Sequence, residues 1–252
     1  MTKVQVKFSS ILLTGWYLII QKKRGQRREF LTILLRQSYF TFVQSIFITG
    51  CLGFLCGVVF SFQAHWGLSF FGGQDKLGEL LVYVIFREIT PMATALLLIA
   101  RSVTAVASEL ATMKVTSEIE ALEVLGIDNY TYLFGPRVFA GALSLFCMAL
   151  IFWTASVFGS WFGSNVTGYL PFSQLISAVT RAVTLPDLFF FTLKTVIGGG
   201  FFFYLACRRS MLIEGSSFEV PIATNQAVVD ALIASFTCHF FFSALFYLTF
   251  GI

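Results

Sequence analysis

Five long apolar stretches, separated by shorter polar connectors, dominate this 252-residue chain. The first runs from Phe42 to Phe62 without a charge, the third from Val138 to Phe158, the fourth from Leu188 to Cys207 and the fifth from Ala227 to Phe250. The second, Leu77 to Ala107, is longer and is interrupted by Arg87, Glu88, Pro91 and Arg101. Each reaches the roughly 20 residues that a helix needs to cross a hydrocarbon core. Barrel strands would alternate polar and apolar residues over about ten positions, and these stretches do not. A helix also satisfies its backbone hydrogen bonds within the segment, as lipid demands. The shorter run Phe8 to Ile20 cannot span. With Trp16 and Tyr17 it suits a helix lying on the membrane surface over residues 4–20. Its strongest basic block follows rather than precedes it, and no small-residue cleavage site appears, which is the wrong order for a secretory signal. Residues Arg28 to Tyr39 read as a second helix leading into the bilayer. The pattern predicts an all-α integral membrane protein: an N-terminal interfacial helix, then five transmembrane helices. Residues 1–40 form the N-terminal interfacial and elbow helices, and 41–252 the five-helix membrane domain.

Composition agrees. Hydrophobic residues make up 57% of the chain, with 31 Phe, and charged residues only 12%, about half the share found in soluble domains. Disorder, a coiled coil and a free-standing nucleic-acid binder are excluded. Eight of the seventeen basic residues fall in the first 36 positions (Lys3, Lys7, Lys22, Lys23, Arg24, Arg27, Arg28, Arg36). Ahead of a membrane domain, that cluster reads as an anchor for anionic headgroups rather than a nucleic-acid site. With the N-terminus inside, Lys114, Arg137, Arg208 and Arg209 join it on the cytoplasmic side, and only Lys76 and Arg181 fall in outer loops. Twelve against two sets the orientation. Trp66 and Trp161 then mark the outer ends of spans one and three, and five spans put the C-terminus outside.

The loop between spans two and three carries Glu109, Glu118, Glu120, Glu123 and Asp128 against the single basic Lys114. Ala111, Met113, Val115, Ile119, Leu122 and Leu125 give it partial helical periodicity. An acidic, helix-forming cytoplasmic loop suits docking by a soluble partner.

The chain lacks a phosphate-binding G-x-x-x-x-G-K-[ST] loop, an H-E-x-x-H or G-x-S-x-G motif, and Cys/His metal spacing. No catalytic residue, metal site or cofactor is therefore expected. Cys51, Cys56, Cys147, Cys207 and Cys238 read as small buried hydrophobes, and the isolated His65 and His239 as structural residues. The ionisable groups within span two are the strongest functional lead. A charge near the bilayer centre costs ~2.5–3.5 kcal/mol on insertion scales, so such residues are paired or line a cavity. Arg87 and Glu88 are about 100° apart on a helix, and Glu88 lies about 16 Å in from Leu77 at 1.5 Å per residue. Pro91, three positions on, removes a backbone donor and permits a kink. Lys194 and Asp230 are further candidates that could also snorkel or pair locally. Gly53-x-x-x-Gly57 and Gly198-Gly199-Gly200 permit close helix approach.

The run Arg87-Glu88-Ile-Thr-Pro91-Met92-Ala-Thr94-Ala95-Leu96-Leu97-Leu98, then Ala100-Arg101 and Glu109-Leu-Ala-Thr112-Met113-Lys-Val115-Thr116, resembles the MlaE (YrbE) family. The continuation Ile119-Glu120-Ala121-Leu122-Glu123-Val-Leu-Gly126-Ile-Asp128, ending at Pro136-Arg137, does so too. These are the membrane permeases of ABC-type lipid transporters associated with MCE proteins. The chain departs from the family in reading Thr116-Ser117-Glu118-Ile119-Glu120 for Thr-Glu-Gln-Ile-Asp, and in placing Asn129 after Asp128.

The resemblance implies a permease of an inner membrane, its N-terminus cytoplasmic and its C-terminus periplasmic. ATP hydrolysis would belong to a separate ABC ATPase subunit. A second permease copy completing a homodimer, an outer-facing MCE-domain ring and a small cytoplasmic accessory subunit would be the other partners. Phospholipid would be the cargo, and no nucleic acid would take part. Carried over by position, Arg87 and Glu88 match the polar pair near the family's lipid cavity, with Pro91, Met92 and Leu96 lining it. Residues 115–126 match the short cytoplasmic coupling helix on which the ATPase pulls. The coupling set comprises Val115, Thr116, Glu118, Ile119, Glu120, Leu122, Glu123, Gly126 and Asp128. Two other classes stay open on the residues alone: a membrane scaffold, and an ion-coupled secondary transporter without an ATPase.

Overall fold

The structure, a computed structural model, describes residues 24–71, 77–166 and 171–250. The interfacial helix expected over residues 4–20 lies outside them. The described residues form eight helices and no strand. Helix α1 is Arg24–Thr41 and α2 is Ile46–Phe71, entered through a single 3-10 turn at Val43–Ser45. Helix α3 runs without a break from Leu77 to Val115. A short α4, Glu118–Val124, follows. Then come α5 (Gly135–Val166), α6 (Phe172–Ala182), α7 (Leu185–Ser210) and α8 (Glu219–Phe250).

Five helical segments are long and apolar enough to cross a membrane: Phe30–Gly67, Leu77–Val115, Tyr132–Val166, Leu185–Ser210 and Glu219–Phe250. They contain the five expected spans, and each extends beyond its apolar stretch because helix continues into the polar flanks. The amphipathic α6 was not expected from the sequence. Its Phe172, Leu175, Ile176 and Val179 recur at helical spacing, but at 11 residues it is too short to cross.

The described chain packs as two compact units. One comprises Gln44–Thr94, Phe146–Thr195 and Cys238–Ile252. Its core gathers Leu77, Leu81 and Ile85 of α3, Phe152 and Val157 of α5, and Leu175 of α6. Beside it, the Phe86 ring stacks on Phe191 at 4.4 Å and meets Trp153 edge-on at 4.9 Å. Lipid tails are as apolar as Leu, so helix pairs in a bilayer gain from close backbone approach rather than from hydrophobic exclusion. The Gly53-x-x-x-Gly57 motif supplies that approach here. A Cβ at Gly53 would stand 2.5 Å from the Phe152 carbonyl oxygen, and one at Gly57 would overlap that of Ser156. Ser160 Oγ then donates to the Gly57 carbonyl at 3.0 Å, tying α5 to α2.

The other unit takes in α1 with Ala95–Leu145 and Val196–Thr237. Here α5 and α7 meet at Gly141 and Gly199, where an added Cβ on either would strike the other's carbonyl oxygen. Phe30 of α1 is buried, edge-on to Phe139 at 6.1 Å. Ser210 Oγ at the end of α7 donates to the Ala107 carbonyl at 2.8 Å.

Candidate functional site

Helix α3 departs from α-helical geometry where its charges lie. Residues Leu81–Ile89 form π-helical turns, and the Thr90 N–H reaches back five positions to the Ile85 carbonyl. Such widened turns are rare and recur at functional sites. Pro91 explains part of the departure: it has no N–H, so the Arg87 carbonyl four residues earlier loses its α-helical donor. A buried carbonyl left without a partner is costly. Lys194 of α7 supplies the missing hydrogen, its Nζ donating to the Arg87 oxygen at 2.9 Å.

The Arg87 side chain is buried and sits 2.7 Å (Nε to Oδ1) from Asp187, whose side chain is fully enclosed. The approach is an ion contact off the N–H axis rather than an aligned hydrogen bond. The guanidinium also lies between two rings, 4.5 Å from the centre of Tyr83 and 4.6 Å from that of Phe246. A cation held so in a dry site gains on the order of 2 kcal/mol. Asp187 in turn accepts from the Thr184 N–H at 2.9 Å and the Thr184 hydroxyl at 2.7 Å. This fixes the start of α7 and the carboxylate together.

Glu88 has a different setting. Its carboxylate accepts from Lys194 Nζ at 3.3 and 3.4 Å and from Ser243 Oγ of α8 at 2.7 Å. Lys194 also donates to Ser243 Oγ at 2.8 Å. Lys194 is buried, whereas the Glu88 side chain is 39% exposed. Two cations and two carboxylates thus balance inside a unit of otherwise apolar helices, which is the condition for retaining charge in low dielectric. Three of the four are enclosed, and Glu88 alone presents a charged face outward.

Of the residues expected in a cavity, the structure brings Arg87 and Glu88 into this cluster. Pro91 is buried beside it in sequence, and Met92 and Leu96 are half-buried further along α3. Lys194 joins the cluster. Asp230 does not: it pairs with Arg209 of the preceding helix, Nη2 to Oδ1 at 3.0 Å. Asp187, Ser243, Tyr83 and Phe246 were missed by sequence reasoning. Only Asp187 carried a signal, because Thr184-x-x-Asp187 ahead of an apolar run is a helix-capping box. Among the described residues no group of three His, Cys, Asp or Glu could hold a metal ion.

The expected coupling segment is a helix, α4, within the second unit. It is entered through Ser117, whose φ of 59° is left-handed, and left through Gly126 at φ 75°. Ile119 is fully buried and pins the helix. Lys114 forms an ion pair with Glu120, and Asn129 Nδ2 donates to Glu123 Oε1 at 2.7 Å. Behind them Arg137 pairs with Glu109 at 2.8 Å. Partial burial works to raise the Glu120 carboxyl. The Lys114 hydrogen bond, the carboxylate's own backbone N–H and the Lys114 charge outweigh it and hold the group below its ordinary 4.5. Val115, Glu120 and Leu122 are half-buried, and Thr116, Glu118, Glu123, Gly126 and Asp128 are exposed. Next to them Val124 and Leu125 stand 88% and 73% exposed, an apolar pair projecting from an acidic surface.

A profile for permease MlaE matches residues 34–245 of the chain. The intermembrane phospholipid transport system permease protein MlaE of Haemophilus influenzae is 27% identical over 233 residues, covering 88% of this chain and 85% of that one. A probable ABC transporter permease protein of Rickettsia typhi is 27% identical over 210 residues, 81% of this chain and 79% of its own length. The chloroplastic protein TRIGALACTOSYLDIACYLGLYCEROL 1 of Arabidopsis thaliana is 27% identical over 191 residues, 76% of this chain and 55% of that protein.

Proposed function

The chain belongs to the MlaE permease family, and from that premise we propose that it moves phospholipid between an inner membrane and the outer envelope as the membrane subunit of an ATP-driven complex. One observation carries the site assignment: a charge-balanced cluster buried among spanning helices, with one carboxylate turned outward. A carboxylate turned out of a membrane-spanning bundle is costly unless it faces a polar group. An outward carboxylate backed by a buried ammonium suits the polar head of an amphiphile whose tails follow the apolar helix surfaces. In this reading the headgroup docks at Glu88, Lys194 and Ser243, with Arg87 setting the local charge. Pro91, Met92 and Leu96 carry the adjoining acyl chain.

No covalent step falls to this chain, and it needs no cofactor of its own. Work enters through α4. A separate ABC ATPase subunit docks on the coupling set, Val115, Thr116, Glu118, Ile119, Glu120, Leu122, Glu123, Gly126 and Asp128, and grips the projecting Val124 and Leu125. Its closure shifts the permease between two states that differ in lipid affinity, which is the energetic requirement for driven transport. A second permease copy, an MCE-domain ring on the outer side and a small cytoplasmic subunit complete the assembly. The N-terminus is cytoplasmic and the C-terminus periplasmic.

The test is charge reversal. Glu88→Lys places a third cation beside Arg87 and Lys194. It is expected to stop phospholipid movement between reconstituted membranes while an ATPase still co-purifies with the permease. Native flux in that variant removes Glu88 from the site. A complex that moves lipid with no nucleotide present removes the ATP-driven reading altogether.

A further inference from the structure

The four charges beside the widened turns of α3 are not equally available to a ligand. An ammonium has three N–H donors and no acceptor, and Lys194 has committed all three. One goes to the Arg87 carbonyl at 2.9 Å and one to Ser243 Oγ at 2.8 Å. The third lies between the two Glu88 oxygens, at 3.3 and 3.4 Å. The Arg87 guanidinium lies between the rings of Tyr83 and Phe246, with Asp187 against its Nε at 2.7 Å. Their side chains are 7% and 4% exposed for Arg87 and Lys194, against 39% for Glu88. The Glu88 carboxylate also keeps open capacity. Its Oε2 takes the short bond from Ser243 at 2.7 Å, while Oε1 takes the long, shared contact from Lys194. A carboxylate has about four acceptor positions and no donor, so Oε1 can receive more.

An incoming headgroup therefore meets a negatively charged acceptor, and the two cations behind it are enclosed, each already facing a carboxylate. Every phospholipid brings a phosphate, so the phosphate does not separate one class from another. The group beyond it does. A primary ammonium offers both the opposite charge and N–H donors, and such charge-assisted bonds are about twice as strong as neutral ones. A quaternary ammonium offers the charge without a donor, and a glycerol headgroup offers neutral hydroxyls on a lipid of net negative charge. We propose that this site selects phospholipids by a primary ammonium in the headgroup, the phosphatidylethanolamine class. Glu88 receives the ammonium at Oε1, while Lys194 and Ser243 hold the carboxylate toward it. The proposal rests on reading Glu88 as part of a phospholipid site and deepens it by naming the headgroup.

The test uses the intact transport complex, purified from its host cell in a nonionic detergent. A phosphatidylglycerol with a fluorescent acyl chain is bound to it and displaced by dioleoyl phosphatidylethanolamine, phosphatidylcholine or phosphatidylglycerol at matched mole fractions in the micelle. The first two carry the same net charge, so comparing them isolates the N–H donors from the general field. The native complex should bind phosphatidylethanolamine about tenfold more tightly than phosphatidylglycerol, with phosphatidylcholine between them. Glu88→Gln keeps the shape and removes the charge. It should bring the three lipids within about twofold of one another, chiefly by weakening phosphatidylethanolamine. A native complex that binds phosphatidylglycerol as tightly as phosphatidylethanolamine overturns the proposal, and that result needs no variant to fold. So does phosphatidylcholine binding as tight as phosphatidylethanolamine, because the N–H donors then contribute nothing. A native preference that survives unchanged in Glu88→Gln overturns it too, since the selection then lies elsewhere. Failure of the underlying reading looks different. If Glu88→Gln alters the binding of none of the three lipids, Glu88 is outside the site and the proposal falls with it. If the native complex binds all three alike and Glu88→Gln shifts them together, Glu88 stays in the site and only the headgroup selection falls.

Discussion

Replacing Lys194 with Met keeps most of the side-chain volume and removes the ammonium, and the structure sets the size of the consequence. Lys194 is the donor to the Arg87 carbonyl that Pro91 leaves unpaired, at 2.9 Å. Losing it leaves a buried acceptor unsatisfied, at about 1–3 kcal/mol. The same change removes the ion pair to Glu88, but that carboxylate is 39% exposed and keeps its 2.7 Å bond from Ser243. Its loss is thus nearer the value of a solvent-screened pair, about 1 kcal/mol or less. Together Lys194→Met should cost roughly 1–4 kcal/mol. Glu88→Gln is milder: Lys194 keeps the carbonyl and Ser243, and the amide oxygen still accepts, so about 1 kcal/mol is expected. At about 2–4 °C per kcal/mol for a chain of this size, Lys194→Met should lower Tm by roughly 2–16 °C and Glu88→Gln by roughly 2–4 °C. A thiol-reactive dye reads the transition in detergent, because all five cysteines are free and Cys207 is buried until the helices part. Equal losses in the two variants would refute the assignment of Lys194 to the Arg87 carbonyl. So would a Lys194→Met variant that melts with the native chain.

Two further outcomes can be checked without transport assays. Gly57→Ala should destabilise the α2–α5 contact by about 1–3 kcal/mol through overpacking against the Ser156 carbonyl, whereas Gly50→Ala, which meets nothing within 4 Å, should melt at or slightly above native. The Glu120 carboxyl is held below its ordinary 4.5, so its tie to Lys114 contributes fully above that value and is lost as pH falls through the lower folded one. Protection of the amides across Glu118–Val124, relative to their intrinsic exchange rates, should fall as pH drops below about 4.5 in the native chain, and much less in Lys114→Gln.

The fold was largely legible because lipid makes sequence blunt: an apolar run of the right length has one credible conformation. The five spans could be read that way, while the helices Arg24–Thr41 and Glu118–Val124 showed only as weaker periodicity. Arg87 and Glu88 stood out for the converse reason, as charges where none are cheap. Their partners did not. Asp187 lies at a helix start, where an acid needs no tertiary reason, and nothing in the run Phe240-Phe241-Phe242-Ser243 says that the hydroxyl will meet a carboxylate from α3. The π-turns at Leu81–Ile89 were equally silent. The donor that meets the Arg87 carbonyl there, Lys194, comes from another helix.

The seam between α2 and α5 has a mechanical corollary. Where Gly53 and Gly57 meet Phe152 and Ser156, the two chains touch main chain to main chain, with the Ser160 hydroxyl fastened across them. Sliding one past the other by a residue would drive a neighbouring side chain into a carbonyl, so the pair translates as a single strut. Any stroke within this unit must then be taken up elsewhere, at the wound-out turn of α3, where a proline has already removed one of the rod's own hydrogen bonds.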